Sequence, residues 1–589
     1  MCIKVTRDLC ILLFMLASPC VHALDSHESE GTLADAQYDA LFGGTSEWTP
    51  VTSAEGQQLL SPKGDSAFLQ EVEVALGGPL LETSKEKVAE IQMELRPIFA
   101  SLDKNEYGRV GHTAVRYALY RLFVARHGWV LKGLDPLGKH FNSSSPVRTL
   151  QNKTSLYAQG LFETRLGGRG FGLEELAVFA SVLETLVWIE AIERIEDLFK
   201  IMDVPTDRLL TRADANKILE LYMTTYIMAG TVLNLTTKDM ILSAWQQMPE
   251  MYSFWPQTKQ LLQSICFEVL GTKENVSFSD VRRILLMVGE RFGKFQDKDC
   301  QLMKKRLITL EADEQGCVPL TSFYKGKHVS GGQDWQFAED ISFLRSHGIL
   351  DESDSGSMKV MIANYVNSRG NCIASSQYYS VCCIDECMSL LGQIERHVQA
   401  PTADPHELAR FLETLPSSTV TANQSLPRNQ IRRLHKIAEK HHKRVPLHGR
   451  LFMQWMHMAY PRECAYPHIS GTTKPFYSNG IDDVVTEEAM MQVFRRDAVN
   501  SSVKGDGQCG IWEDAEELIL GPTGLPKGQL RNLHDLEHDW YTWMAALSVS
   551  LLCVISIILL AIVRVFKVFK LASSVHSAHG GLKGPIMLV

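Results

Sequence analysis

The sequence predicts a mainly α-helical chain: helix–loop–helix pairs in the first half, a cysteine-bearing helical module in the second, and one membrane helix near the carboxyl end. Three observations carry this expectation. Apolar residues recur at three-to-four spacing from about residue 85 to 330, the signature of amphipathic helices. Cysteines gather after residue 331, where the texture turns to Gly, Ser and Asp. Residues 544–563 form a run of 20 without charge or proline, long enough to cross about 30 Å of hydrocarbon at about 1.5 Å per residue.

The 589 residues are 45% hydrophobic and 22% charged, the balance of a folded chain. A net charge of −9 without a long basic stripe excludes nucleic acid as the natural partner. Lys4 and Arg7, the apolar run 9–17 and the small-residue end Val21-His22-Ala23 have the order of a secretory signal peptide, 1–23. Residues 24–65 read as a loose N-terminus, 66–330 as the helical region, 331–530 as the cysteine-containing module and 531–543 as a juxtamembrane stalk. Trp540, Tyr541 and Trp543 mark one edge of the membrane helix, and Arg564, Lys567 and Lys570 follow the other. Basic residues stay on the cytoplasmic side, so 564–589 is expected in the cytosol and the bulk in the extracellular or lumenal space, at the plasma membrane or an endomembrane.

In chain order, Val88, Ile91, Leu95, Ile98 and Leu102 make the first apolar stripe, with Pro97 expected to bend it. Val115, Ala118, Leu119, Leu122 and Phe123 make the second, stopped at Gly128. Residues 131–170 read as an exposed connection, and 173–202 as a long helix. Beyond 331 the reading gives a short helix to Ser346, a strand at 360–366, helices near 384–398, 405–414, 428–442 and 447–459, and one near 486–495.

Short polar segments between the first-half helices resemble calcium-binding loops. Such a loop of about 12 residues places oxygens at positions 1, 3, 5, 7 and 9, glycine at 6, an apolar residue at 8 and a bidentate acid at 12. Segment 103–114 offers Asp103, Asn105, Gly108 and Val110 but closes on Ala114. Segment 203–214 offers Asp203, Asp207 and Asp214, with Pro205 at position 3 and Arg208 where glycine belongs. Segment 271–282 brings Asn275 and Ser279 and ends in Arg282. Segment 311–322 offers Glu311, Asp313, Gln315, Gly316 and Val318 and closes on Ser322. A hard cation without the closing acid loses two oxygens and a charge, so any calcium held here is held weakly, at the millimolar level of extracellular modules.

Thirteen cysteines less Cys2, Cys10, Cys20 and Cys553, which fall in the leader and the membrane helix, leave an odd number outside. Most should pair, and one stays over. Cys372, Cys382, Cys383, Cys387, Cys464 and Cys509 are the disulfide candidates; a zinc site of Cys382, Cys383 and Cys387 with His397 or His468 is the rival. Asn-x-Ser/Thr acceptors for glycosylation stand at Asn142, Asn152, Asn234, Asn275, Asn423 and Asn500, all on the expected outer side.

The segments Cys372-Ile-Ala-Ser-Ser, Tyr379-Ser-Val-Cys-Cys, Asp385-Glu-Cys, Val398-Gln-Ala-Pro-Thr and Val445-Pro-Leu-His-Gly-Arg-Leu-Phe, with Arg116-Tyr-Ala-Leu and His127-Gly-Trp, give the chain a resemblance over about 85–470. It resembles a family of large single-pass membrane proteins predicted in protist genomes and labelled as containing EF-hand-like regions. The resemblance implies that architecture and a calcium label, and no reaction. Neither Gly-x-Ser-x-Gly, His-Glu-x-x-His nor a phosphate-cradling glycine loop occurs. His435, His441, His442, His448 and His457 lie among bases in 432–444, a solvated basic helix face or a binder of acidic groups. The expected role is binding or scaffolding toward a protein or glycan; a membrane-tethered enzyme with its site where the halves meet is the alternative.

Overall fold

The computed structural model describes residues 84–135, 145–229, 235–325, 337–353, 357–423, 425–475, 484–500 and 509–518, with Phe68, Glu71, Val72 and Val74 before them. The chain is mainly helical, its strands are short, and its cysteines stand at disulfide distance. The leader 1–23 and the apolar run 544–563 lie outside the described residues, among which no helix is long and apolar enough to cross a membrane.

Four antiparallel pairings of very short extended segments organise the helices. In the first, Val110 and Phe171 exchange both backbone hydrogen bonds at 2.9 Å. They join α1 (Ser84–Ser101) and α2 (His112–His127) to α3 (Leu156–Gly168) and α4 (Leu173–Ile201). In the second, Leu210 faces Val276 between α4 and α5 (Arg212–Met228) on one side and α7 (Trp255–Leu270) and α8 (Phe278–Ile308) on the other, with α6 (Lys238–Met251) packed on α5. In the third, Val318 faces Val360, linking α8 and α9 (Leu320–Lys325) to α10 (Ile341–Ser346) and α11 (Ile362–Val366). In the fourth, Ala403 faces Val445 between α12 (Glu386–Val398), α13 (Pro405–Thr414), α14 (Arg428–Lys440) and α15 (Arg450–Ala459). All eight facing residues are buried. Apart from α15, each exit helix starts two residues after its facing residue, which places the N-cap directly behind the ladder. α4 and α8 each serve two pairs, leaving one loop and entering the next.

One large apolar core fills the first two pairs; smaller cores fill the third and fourth. Contacts cross residue 331 throughout. Strand Trp129–Leu131 pairs antiparallel with Tyr379–Val381, and the disulfides Cys300–Cys383 and Cys317–Cys509 span the same point. Gly293 lies against the turn after α2, where an added Cβ would stand 1.7 Å from the His127 carbonyl oxygen, so a side chain there would push the two segments apart.

Several expectations meet the structure at a different place. The span 131–170, read as an exposed connection, contains α3, whose Ala158, Phe162 and Leu166 are buried behind the Ser155 N-cap. Its glycines, Gly160, Gly167 and Gly168, masked the pattern because they weaken helix propensity. The strand expected over 360–366 ends at Met361, where the chain turns into α11. Pro97 stands within α1, which continues to Ser101. Gly128 ends α2 at φ 67°, as its position suggested.

Candidate functional site

The ladder fixes a common numbering for every loop, with each facing residue at position 8. Segments 103–114, 203–214 and 311–322 keep the frame read from sequence, because Val110, Leu210 and Val318 are the facing residues. The frame 271–282 is corrected: Val276 faces Leu210, so the loop is 269–280 and closes on Asp280 instead of Arg282. Four further loops follow from the same rule, of which Val360 defines 353–364 and Val445 defines 438–449, closing on Asn364 and Gly449 without an acid. Phe171 defines 164–175, closing on Glu175, and Ala403 defines 396–407, closing on Glu407. Closing acids are therefore more numerous than the sequence reading allowed. Gly108 and Gly316 hold position 6 with φ of 70° and 84°, the left-handed turn the template requires there.

The cations beside these acids belong to the chain itself. Arg109 projects from the first loop into its partner, donating from Nη1 to Glu175 Oε1 at 2.6 Å and to the Gly170 carbonyl at 3.2 Å. Those are the position-12 acid and the position-7 carbonyl that a calcium ion would use. In 269–280 the Lys273 ammonium lies 2.5 Å from Asp280 Oδ2, which also accepts from Ser277 N and Oγ. Burial alone would raise the Asp280 pKa, but Lys273 and the Ser277 bonds outweigh it and hold the carboxyl at about 2. Glu311 accepts from Arg462 and from Gly316 N, and Glu314 takes Lys359 on both oxygens at 2.8 Å. Arg444 closes the fourth pair through Thr402 Oγ1 and its carbonyl at 2.8 and 2.7 Å. Arg109, Lys359 and Arg444 all occupy position 7 of their loops, so the same site on the ladder recurrently sends a base across to its partner.

The acids read from sequence fare unequally. Asn105 spends its Oδ1 on Tyr107 N and Arg109 N and its Nδ2 on the Arg169 carbonyl. Asp103 is raised by burial, partly offset by His448 and Lys104. Asp203, at φ 58°, meets Lys238 at 3.4 Å on an exposed surface. Asp214 takes the Thr211 hydroxyl at 2.9 Å in an N-cap exchange. Among the described residues, no three carboxylates of these loops converge within 4.8 Å. The first, third and fourth pairs and loop 269–280 thus do not fit calcium as they stand. Among the described residues, loop 203–214 alone combines three template acids, Asp203, Asp207 and Asp214, with no buried base upon them.

Where the halves meet, a buried ion group is assembled. Glu395 accepts from Arg121 and lies 2.8 Å from His448 Nε2, and Arg121 Nη2 reaches the Met388 carbonyl at 3.1 Å. Burial pushes Glu395 upward, yet the two bases hold it below its ordinary value. All three side chains are at most 7% exposed, so the arrangement fastens the halves and offers no face to a substrate. Nearby, the buried Lys304 ammonium bridges Glu386 at 2.7 Å, Ser418 at 3.0 Å and Glu463 at 3.5 Å. An aromatic cavity between Trp129, Trp188, Tyr222 and Phe292 measures about 20 Å³, room for roughly one water.

Every disulfide candidate is paired: Cys372–Cys382, Cys300–Cys383, Cys387–Cys464 and Cys317–Cys509. Cys300 and Cys317 come from the first half, and Cys266 is the cysteine left over, buried. Because Cys382, Cys383 and Cys387 sit in three different bridges, the zinc reading with His397 or His468 is corrected. The histidine run disperses too: His441 meets Glu516 at 2.7 Å, and His457 is buried between the Cys464 and Cys509 carbonyls. Of the glycosylation acceptors, Asn152, Asn275 and Asn423 are exposed, Asn500 ends its helix, and Asn142 and Asn234 lie outside the described residues. No family model matches the chain, and no curated protein or solved structure does either.

Proposed function

We propose that this chain is a type I single-pass membrane glycoprotein whose outer region is a binding scaffold of EF-hand-like pairs stiffened by internal bases. The observation that supports it is the position of Arg109 and Lys273, whose cationic groups stand on Glu175 and Asp280 where a metal would otherwise be needed. A covalently supplied cation removes the dependence on ion concentration that a sensor requires, and the cross-half disulfides hold the pairs in fixed relation. Exposed Asn152, Asn275 and Asn423 are in keeping with glycosylation. Calcium enters this reading only at 203–214, as a weak extracellular-type ligand. The kinship suggested by the resemblance to protist membrane proteins with EF-hand-like regions is part of the same proposal.

The test is a calcium titration of the full chain in detergent micelles, followed by tryptophan fluorescence and equilibrium binding. One site in the millimolar range at most is expected, abolished by Asp203→Asn with Asp214→Asn, with the melting temperature unchanged by a chelator. Two or more sites, or unfolding on chelation, would overturn the proposal.

A further inference from the structure

Residues 511–518 lie as an extended acidic segment on α14 and α15, tied at one end by Cys509 to Cys317. Two buried side chains read its main chain. Gln454, fully buried, accepts from Glu513 N at 3.0 Å and donates to the Glu513 carbonyl at 2.9 Å. Arg450, whose side chain is 3% exposed, donates to the Ala515 carbonyl at 2.9 Å and to the Glu513 carboxylate. Its backbone N–H takes the Glu517 carbonyl at 2.9 Å, and Gly449 bridges Leu518. The acidic side chains then meet bases: Asp514 meets Lys440 at 3.1 Å, and Glu516 accepts from His441 and from Leu451 N at the start of α15. Trp512 lies beneath the Arg433 guanidinium, 5.1 Å from it.

Surface ion pairs alone would say little, since exposed charges of opposite sign meet on any protein. The buried Gln454 and Arg450 say more. A primary amide that both accepts from and donates to one residue's backbone recognises a peptide in extended form. We propose that the α14–α15 groove is a recognition site for an acidic, tryptophan-bearing extended peptide, which the chain's own 511–518 fills in cis. The partner is a protein presenting such a segment. A sulfated glycan would satisfy the bases but not the alternating main-chain donors and acceptors that Gln454 and Arg450 match. The inference does not depend on the loops or on calcium.

A tethered segment holds its groove at an effective concentration in the millimolar range, so a free peptide competes poorly with it. The test uses a fluorescein-labelled peptide of residues 510–518 and the full chain in micelles, with residues 511–518 replaced by glycine and serine. This variant should bind the peptide about 100-fold more tightly than the unaltered chain, because the internal occupant no longer lowers the available fraction. Adding Gln454→Ala should reduce that binding at least about tenfold, as expected when a buried hydrogen-bonding partner is lost. A folded variant that ignores the peptide, that binds a scrambled peptide equally, or that binds only heparin overturns the proposal. Should the replacement disturb folding, Glu513→Gln with Glu516→Gln decides: it keeps the backbone, and no gain in peptide affinity overturns the proposal equally.

Discussion

Asp299 shows how a single carboxyl registers its surroundings. It sits on α8 at 7% exposure with Gln296 Nε2 at 3.4 Å as a weak partner, and burial pushes its pKa up to about 6. The folded chain therefore binds a proton that the unfolded chain releases between pH 4 and 6, and stability falls as pH rises through that window. Above it the buried charge persists as a cost of about 3 kcal/mol. Asp299→Asn should recover roughly that amount at pH 7 and almost nothing at pH 4, measured by urea unfolding at both values. Single residues were the least legible part of the sequence. Asn105 and Glu311 are legible as oxygens, but nothing in their spacing tells that the Tyr107 and Arg109 amides claim the first and Gly316 N and Arg462 the second. Asp280 carries a readable signal, Ser277-x-x-Asp280 at the capping-box spacing, whereas Glu175 follows Gly172, which has no side chain to complete one.

At the scale of elements, the ladder explains both what was legible and what was not. Long helices with unbroken stripes, such as Leu173–Ile201, could be read nearly to the residue because packing demands the same period over many turns. A two-residue strand leaves no periodic trace, so its register, and with it the frame of 269–280, waited on knowing the partner. The pairs of the second half were seen as four helices without their ladder for the same reason. The facing residues should bear weight accordingly. Leu210→Ala removes a side chain that is 3% exposed and faces Val276, and it should destabilise the chain by about 2–4 kcal/mol. Thermal unfolding checks this, with Leu209→Ala, an exposed neighbour, as the control expected to change little.

Across the whole molecule, the helical class and the identity of six bridged cysteines were legible, whereas the bridges that join first half to second were not. Chain texture reports local composition, and Cys300 and Cys317 sit in texture indistinguishable from their helical neighbours. Cys317–Cys509 closes 192 residues of chain, and a loop of that order restricts the unfolded ensemble by about 5 kcal/mol in the chain-entropy account. Replacing both cysteines by serine should lower stability by up to about that amount, and it should speed proteolysis within 509–518 relative to the helices, read by mass spectrometry of limited digests. The sharing of α4 and α8 between successive pairs carries a mechanical corollary. Because neither helix has a joint between its two ends, a torque applied to one pair is delivered to the next as a tilt of the same rod, so a pull transmitted from a bound partner travels through the array without slack.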